Sequence, residues 1–387
     1  MQKKAVMYGA GNIGRGFIAQ LFYLSGYETV FIDVAEPVVN AINEAGEYPI
    51  YITNAEKNDY DIFTVRNIRA VNGRDTDAVA REIAEASVMA TAVGANILKF
   101  IAGPVAQGIE IRAAQKAPVL NIIVCENLID SGNYFRELLT AQLSDEGKRY
   151  CHDKVGIAEA SIGRMVPIAP EQIRAVNPLA VCVEPYAHLP VDKSGIIGEP
   201  PDIVNLEPFE PFEFHIRRKL FMHNMSHAVI AYLGYQKGYT YIWEAAGDYE
   251  IRYTALGALI EVARAMSKEF PVSIDDLIES SYDLLRRFDN KLLGDTIERV
   301  GRDPIRKLSP NDRITGAINL CLVHGIIPEH LIRGLAAALC FNAPADAGAQ
   351  EVSAFARENG AAAALEKYCR ITDPRIVERV CSCCKQA

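Results

Sequence analysis

A doubly wound α/β domain followed by an all-helical domain is predicted by three features of the chain. Short apolar runs alternate with helical periods through the first 130 residues, a glycine-rich turn separates the first run from the first helix, and the pattern turns helical beyond Pro211. Buried strands are read at 5–8, 29–33, 87–93 and 119–125, and helices at 13–25, 38–44, 75–85 and 97–107. Such alternation calls for right-handed crossovers, which place helices on both faces of one parallel sheet. From about 155 to 203, β-like segments broken by prolines, such as 180–184, close a first domain of residues 1–203. The second domain, 204–387, is expected to fold from helices at 213–233, 249–268, 273–288, 308–323, 329–341 and 347–368.

Of the 387 residues, 50% are hydrophobic and 23% charged, the balance of an ordered globular chain. The formal charge of −9 repels phosphate backbones and anionic membranes, so no nucleic-acid or membrane partner is expected. The first residues run into glycines rather than a cleavage site, and no uncharged stretch approaches the ~18 residues of a membrane helix. Nine cysteines, an odd number scattered through apolar segments, read as free thiols and place the protein in the cytoplasm. Cys381, Cys383 and Cys384 could hold a metal or form adventitious disulfides, but no second Cys or His pair with zinc-finger spacing completes a site.

Gly9-Ala10-Gly11-Asn12-Ile13-Gly14 follows a strand and opens a helix, the context in which G-x-G-x-x-G marks a Rossmann-type dinucleotide site. Gly9 permits the tight turn, Gly11 lets backbone approach a pyrophosphate, and Gly14 allows close packing of helix on strand. Free amides and the positive helix end then hold the phosphates. Asp33 ends the second strand nineteen residues after Gly14, where its carboxylate can accept from the adenosine ribose hydroxyls and repel the extra phosphate of NADP. NAD is therefore the expected cofactor. Thr91, Val93 and Gly94 close another strand at the carboxyl edge and are expected to line the nicotinamide side, although a plain β–α turn would look the same.

Lys219, His223, Asn224 and His227 crowd onto one predicted helix among apolar residues. A lysine becomes a usable base when burial and nearby cations bring its pKa from ~10.4 to roughly 7–8, and Arg217 and Arg218 are adjacent. At 100° per residue, Asn224 lies about 140° and His227 about 80° from Lys219, a broad arc rather than a stripe. His223 and His227 also have the i, i+4 spacing of paired metal ligands, but the helix supplies no obvious third ligand, and lysine deprotonates a hydroxyl without a metal. No metal is expected.

These residues resemble the polyol-specific long-chain dehydrogenases, the mannitol dehydrogenase family. The resemblance runs in order from residue 5 to about 340, through Gly9 to Phe17, Thr91 to Gly94, Asn121 to Asn127, Arg218 to Phe221, and Glu298 to Arg302 with Pro304, Arg306 to Ser309, Asp312 and Arg313. It implies a metal-independent hydride transfer with Lys219 as general base. It further implies that Asn127 and Asn224 clamp the reacting oxygen and that His227 meets a substrate hydroxyl. Amide donors aimed at a developing alkoxide act as an oxyanion hole does. In one departure, Gly163-Arg164-Met165-Val166-Pro167 has glycine where the family usually has aspartate.

Between 298 and 313, Arg299, Arg302, Arg306, Lys307 and Arg313 outnumber Glu298, Asp303 and Asp312. Read alone, this is as well a solvated, internally paired loop as a site for a phosphate or carboxylate. The resemblance implies substrate contact by Arg299 and Lys307, and with it a sugar phosphate or polyol phosphate, mannitol 1-phosphate and fructose 6-phosphate, as substrate. Two alternatives stay open: a hexuronate reductase of the same family acting on fructuronate or tagaturonate, and a non-enzymatic NAD-binding redox sensor.

Overall fold

The computed structural model describes residues 3–385, and the chain divides into two compact units at His215/Ile216. The division follows the sequence boundary at 203/204 by twelve residues because strand Leu206–Phe209 pairs with Leu189–Asp192 and so belongs to the first unit.

Among the described residues, the first unit contains eleven strands: β1 Lys4–Tyr8, β2 Glu28–Asp33, β3 Glu47–Asn54, β4 Asp59–Arg66, β5 Ile68–Asn72, β6 Val88–Thr91, β7 Leu120–Val124, β8 Val155–Glu159, β9 Val181–Val183, β10 Leu189–Asp192 and β11 Leu206–Phe209. Six form a fully parallel sheet in the order β5-β2-β1-β6-β7-β8. The order reverses direction between β1 and β6, the switch point at which open α/β sheets bind ligands. Alternate residues of β1 serve opposite faces: Ala5 and Met7 pack with Phe17, Phe22 and Phe31, while Val6 and Tyr8 pack with Ile83, Val105 and Phe135. A sheet covered on both faces explains why its strands read as uninterrupted apolar runs.

Several elements differ from the sequence expectations. Residues 47–66 form the antiparallel hairpin β3–β4, which joins β9 in a separate sheet. The β-like segment at 155–159 is β8, an edge strand of the main parallel sheet rather than part of a separate closing region. The helix read at 97–107 is Leu98–Gln115 and continues through Pro104, and helices Ser131–Thr140 and Asp145–Lys154 precede β8.

In the second unit no strand occurs among the described residues. Its long helices are Met225–Gln236, Tyr249–Glu269, Ile274–Phe288, Thr315–Val323, Glu329–Leu339, Ala347–Asn359 and Pro374–Cys384. The segment read as one helix at 347–368 breaks at Gly360, whose φ of 85° ends the first piece. Helices Met225–Gln236 and Glu329–Leu339 approach so closely that a Cβ at Gly334 would lie 2.5 Å from the Val229 side chain. No helix among the described residues is long and apolar enough to cross a membrane.

Arg112, 2% exposed, holds the amino edge of the parallel sheet. Its guanidinium donates to the carbonyls of Ile83 (3.2 Å), Ala84 (2.8 Å) and Ala86 (2.9 Å) before β6, to that of Pro118 (2.7 Å) before β7, and to the Tyr150 hydroxyl (3.3 Å). A bond from a charged donor is worth about 1.5–3 kcal/mol, and buried carbonyls left alone cost more. Arg112→Ala should therefore lower unfolding stability by more than about 3 kcal/mol, read as a shift of the urea midpoint.

Candidate active site

The turn after β1 has the geometry that its glycines call for. Gly9 has a φ of 103°, and a Cβ there would strike the Ala92 carbonyl. A Cβ at Gly14 would strike the Gly9 carbonyl, whereas beside Gly11 nothing lies within 4 Å. Backbone is thus packed tightly at both ends of the turn and open at its middle, the cradle that a pyrophosphate needs. The following helix begins with a widened π-turn, Gly14–Ile18, in which the Ala19 amide donates to the Gly14 carbonyl.

Asp33 at the end of β2 accepts from the amides of Ala10 (2.7 Å) and Ala35 (2.9 Å), one on each carboxylate oxygen. A carboxylate has about four acceptor positions, so ribose hydroxyls still find acceptors there. Two buried arginines brace this helix, one from within it and one from outside. Arg15 donates to the Ala10 carbonyl (2.7 Å) and the Leu179 carbonyl (2.6 Å), and burial lowers its pKa against the opposing pull of Tyr48 and Asp33. Arg164 donates to Gln20 (2.5 Å), the Gly16 carbonyl (3.1 Å) and the Glu184 carbonyl (2.9 Å), and burial lowers its pKa to about 10, leaving it charged at neutral pH. At neighbouring Gly163, a Cβ would stand 3.1 Å from the Tyr186 ring, so this ring lies against the position of the missing side chain.

Thr91 ends β6 on the other side of the switch point, and Val93 and Gly94 follow it. Glu126, buried at the end of β7, accepts from the Val93 amide (2.9 Å) and the Gly94 amide (2.8 Å). The Thr91 hydroxyl is buried with no hydrogen-bond partner. Asn127 is exposed directly after Glu126.

The second unit brings together most of the other candidates. Lys219–Asn224 is a π-turn between two α-helical segments, with the Met225 amide donating to the Leu220 carbonyl. Bonding across five residues turns less per residue than an α-helix does, so the angle between Lys219 and Asn224 is narrower than the ~140° of straight α-helical geometry. His227 lies one turn on. Its ring stacks on Phe288 with centroids 4.8 Å apart and planes at 11°, and the His223 ring meets the same phenyl edge-on at 5.7 Å. His227 Nε2 lies 3.3 Å from Asp295 Oδ2, an ion-pair distance at which hydrogen-bond angles are not met. Burial lowers the His227 pKa while Asp295 pulls it back up, and burial lowers that of His223 well below the usual value, helped by Arg287 and His227. Both shifts favour the neutral form of the ring. Asp295 itself is held below the ordinary carboxylate range because His227 and Arg299 outweigh its burial. Among the described residues no three His, Cys, Asp or Glu side chains converge as metal donors.

The four basic candidates differ in their engagement. Arg299, half exposed, pairs with Asp295, and Arg302 is exposed. Arg306 is shared between Asp303 (2.7 Å) and Asp312 (3.0 Å). Lys307, 5% exposed, donates to the carbonyls of Val300 and Arg302, both at 2.5 Å. Burial, with Arg313 and Arg306 nearby, brings its pKa down to about 7.

Asp295 and Glu126 are the functional candidates that the sequence reading passed over. Glu126 stands inside a stretch that carried the resemblance, and its place before Asn127 was the available signal. Asp295 had none, since its partner His227 is remote in sequence.

Residues 3–205 match the family model described as the mannitol dehydrogenase Rossmann domain, and residues 209–380 match the mannitol dehydrogenase C-terminal domain. A mannitol-1-phosphate 5-dehydrogenase of Brevibacillus brevis is 39% identical over 358 residues, covering 92% of this chain and 90% of the relative. One from Thermoanaerobacter pseudethanolicus is 38% identical over 341 residues, covering 88% and 86%. In fold, the chain is similar to a substrate-free D-sorbitol dehydrogenase, with a TM-score of 0.82 at 15% identity over 100% of this chain and 93% of the other. It is also similar to Pseudomonas fluorescens mannitol 2-dehydrogenase, with a TM-score of 0.72 at 17% identity over 100% and 92%. Both family domains are present in order and together span nearly all of the sequence, and on that ground the chain belongs to the mannitol dehydrogenase family.

Proposed function

We propose that this protein is an NAD-dependent polyol-phosphate dehydrogenase that interconverts mannitol 1-phosphate and fructose 6-phosphate without a metal. The reading is supported chiefly by the π-turn Lys219–Asn224, whose wider winding narrows the angle between a proton acceptor and an amide donor one turn before His227. The names of the relatives supply the substrate. Nine free thiols fit a reducing compartment, and the cytoplasm is the proposed location.

NAD, when bound, accepts the hydride. Gly9 to Gly14 would hold its pyrophosphate, Asp33 its adenosine ribose, and the Thr91, Val93 and Gly94 turn would flank its nicotinamide. Lys219 takes the proton of the reacting hydroxyl on Nζ. Asn127 and Asn224 donate to the oxygen as charge grows on it, and His227, backed by Asp295, meets an adjacent hydroxyl. Arg299 and Arg302 take the phosphate, and Arg306 joins them by giving up one of its two carboxylates. Lys307 assists chiefly by tying the loop together through its two carbonyl bonds.

Lys219→Ala should abolish turnover while NADH binding, followed by fluorescence, persists. Asn127→Ala and Asn224→Ala should each lower kcat by about 10²–10³. Prolonged EDTA treatment should leave the rate unchanged, and loss of activity restored by zinc would replace the lysine scheme.

Arg302→Ala should weaken fructose 6-phosphate binding by roughly 1.5–3 kcal/mol, one to two powers of ten, with a smaller fall in turnover. The penalty should vanish with unphosphorylated fructose, itself a poor substrate. Equal reduction of both sugars refutes the phosphate site, and activity on fructuronate or tagaturonate alone transfers the enzyme to the uronate reductases.

Lys307 gives a pH signature. Its native pKa of about 7 lies below the ordinary 10.5, so between those values the unfolded chain holds a proton that the folded one has released. Stability therefore rises with pH across that window, by up to about 1.4 kcal/mol per unit, and is flat below it. Lys307→Met should remove that slope in urea unfolding measured between neutral and moderately alkaline pH.

A further inference from the structure

The tail motif Cys381, Cys383 and Cys384 plays no part in the proposed chemistry, and the fold gives it a partner. Cys340 is the C-cap of helix Glu329–Leu339, with its amide donating to the Ala337 carbonyl at 3.1 Å, and it is exposed. Helix Pro374–Cys384 lies against that helix, tied to it by the Arg379–Glu329 ion pair at 2.7 Å. Ile376 and Val380, both 0% exposed, mark its inward stripe. Cys384 is four residues past Val380 and falls on the same stripe. It meets Cys340 there, with the two sulfurs in hydrogen-bond contact.

We propose that Cys340 and Cys384 are a reversible oxidation site that forms a disulfide by exchange with a low-molecular-weight disulfide of the glutathione type. The shared hydrogen bond sets the order of events. Cys384 keeps the proton and its pKa is raised, while its bond brings Cys340 down to about 7, so Cys340 supplies the attacking thiolate near neutral pH. By contrast, burial pushes up the thiols of Cys125, Cys151, Cys182, Cys321 and Cys369. Beside this helix pair, a groove of about 670 Å³ is lined by Arg333 and Arg379, by Glu329 and Glu378, and by Cys383.

The chemistry balances as two exchanges. The Cys340 thiolate attacks one sulfur of the small disulfide, forms a mixed disulfide and expels one small thiolate. Cys384, on losing its proton to solvent, attacks the Cys340 sulfur, forms the intramolecular bond and expels the second small thiolate. The protein loses two electrons and two protons, and one small disulfide becomes two thiols.

The test incubates the native full-length protein with glutathione disulfide at neutral pH, followed by non-reducing digestion, mass spectrometry and thiol titration. A peptide linked through Cys340 and Cys384, with loss of two of the nine thiols and recovery of both by dithiothreitol, is the expected result. In Cys384→Ser the reaction should stop at glutathione on Cys340, and in Cys340→Ser no link to Cys384 should form. Bonds confined to Cys381, Cys383 and Cys384, or a Cys340 that stays reduced while those thiols react, would overturn the assignment.

Discussion

Two carboxylates shape the carboxyl edge of the parallel sheet, and the rest of the nucleotide end depends on them. Asp33 accepts the amides of Ala10 and Ala35, and Glu126 accepts those of Val93 and Gly94. Each carboxylate thereby fixes a turn beside the point where the strand order reverses. Bonds from backbone amides to an ionised acceptor are shorter and stronger than neutral ones, so loops that would otherwise be mobile are set in advance of any ligand. An amide side chain at either position could not replace the carboxylate, because one of its two ends would present a donor to another donor. Arg15 complements this arrangement by engaging the Ala10 carbonyl, which leaves the same residue bonded through both of its backbone polar groups.

What the sequence disclosed follows from how far each signal reaches along the chain. β1, β2, β6 and β7 were legible because burial on both faces writes an apolar run. β3 and β4 were not, since their exposed positions dilute the pattern and Pro49 interrupts it. The helix Leu98–Gln115 outran its reading at 107 because packing of Ile109 and the buried Arg112 carries it past Gly108, which propensity alone treats as a breaker. The glycine turn was legible because its steric demands are local. The pairing of His227 with Asp295 joins segments far apart in sequence, and nothing local announces it.

Hydrophobic periodicity also says nothing about which backbone carbonyl an amide chooses. Regular α-helical geometry separates Lys219 from Asn224 by about 140°, whereas the i→i+5 bond from Met225 to Leu220 narrows that angle. The dinucleotide helix begins with the same widened turn at Gly14–Ile18. Both irregular turns fall where the chain must present particular groups rather than extend a regular surface, as π-bulges often do.

The network centred on Arg112 gives the first unit a division of labour. Its bonds join the end of one helix to the approaches of β6 and β7, at the edge of the sheet opposite the glycine turns. The cohesion of the sheet is therefore anchored away from the loops that meet ligands. Variation in those loops can retune recognition without loosening the foundation, and random substitution at the Arg112 end would be filtered out by misfolding before catalysis was ever sampled. In evolutionary terms, the scaffold confines its experiments to one rim.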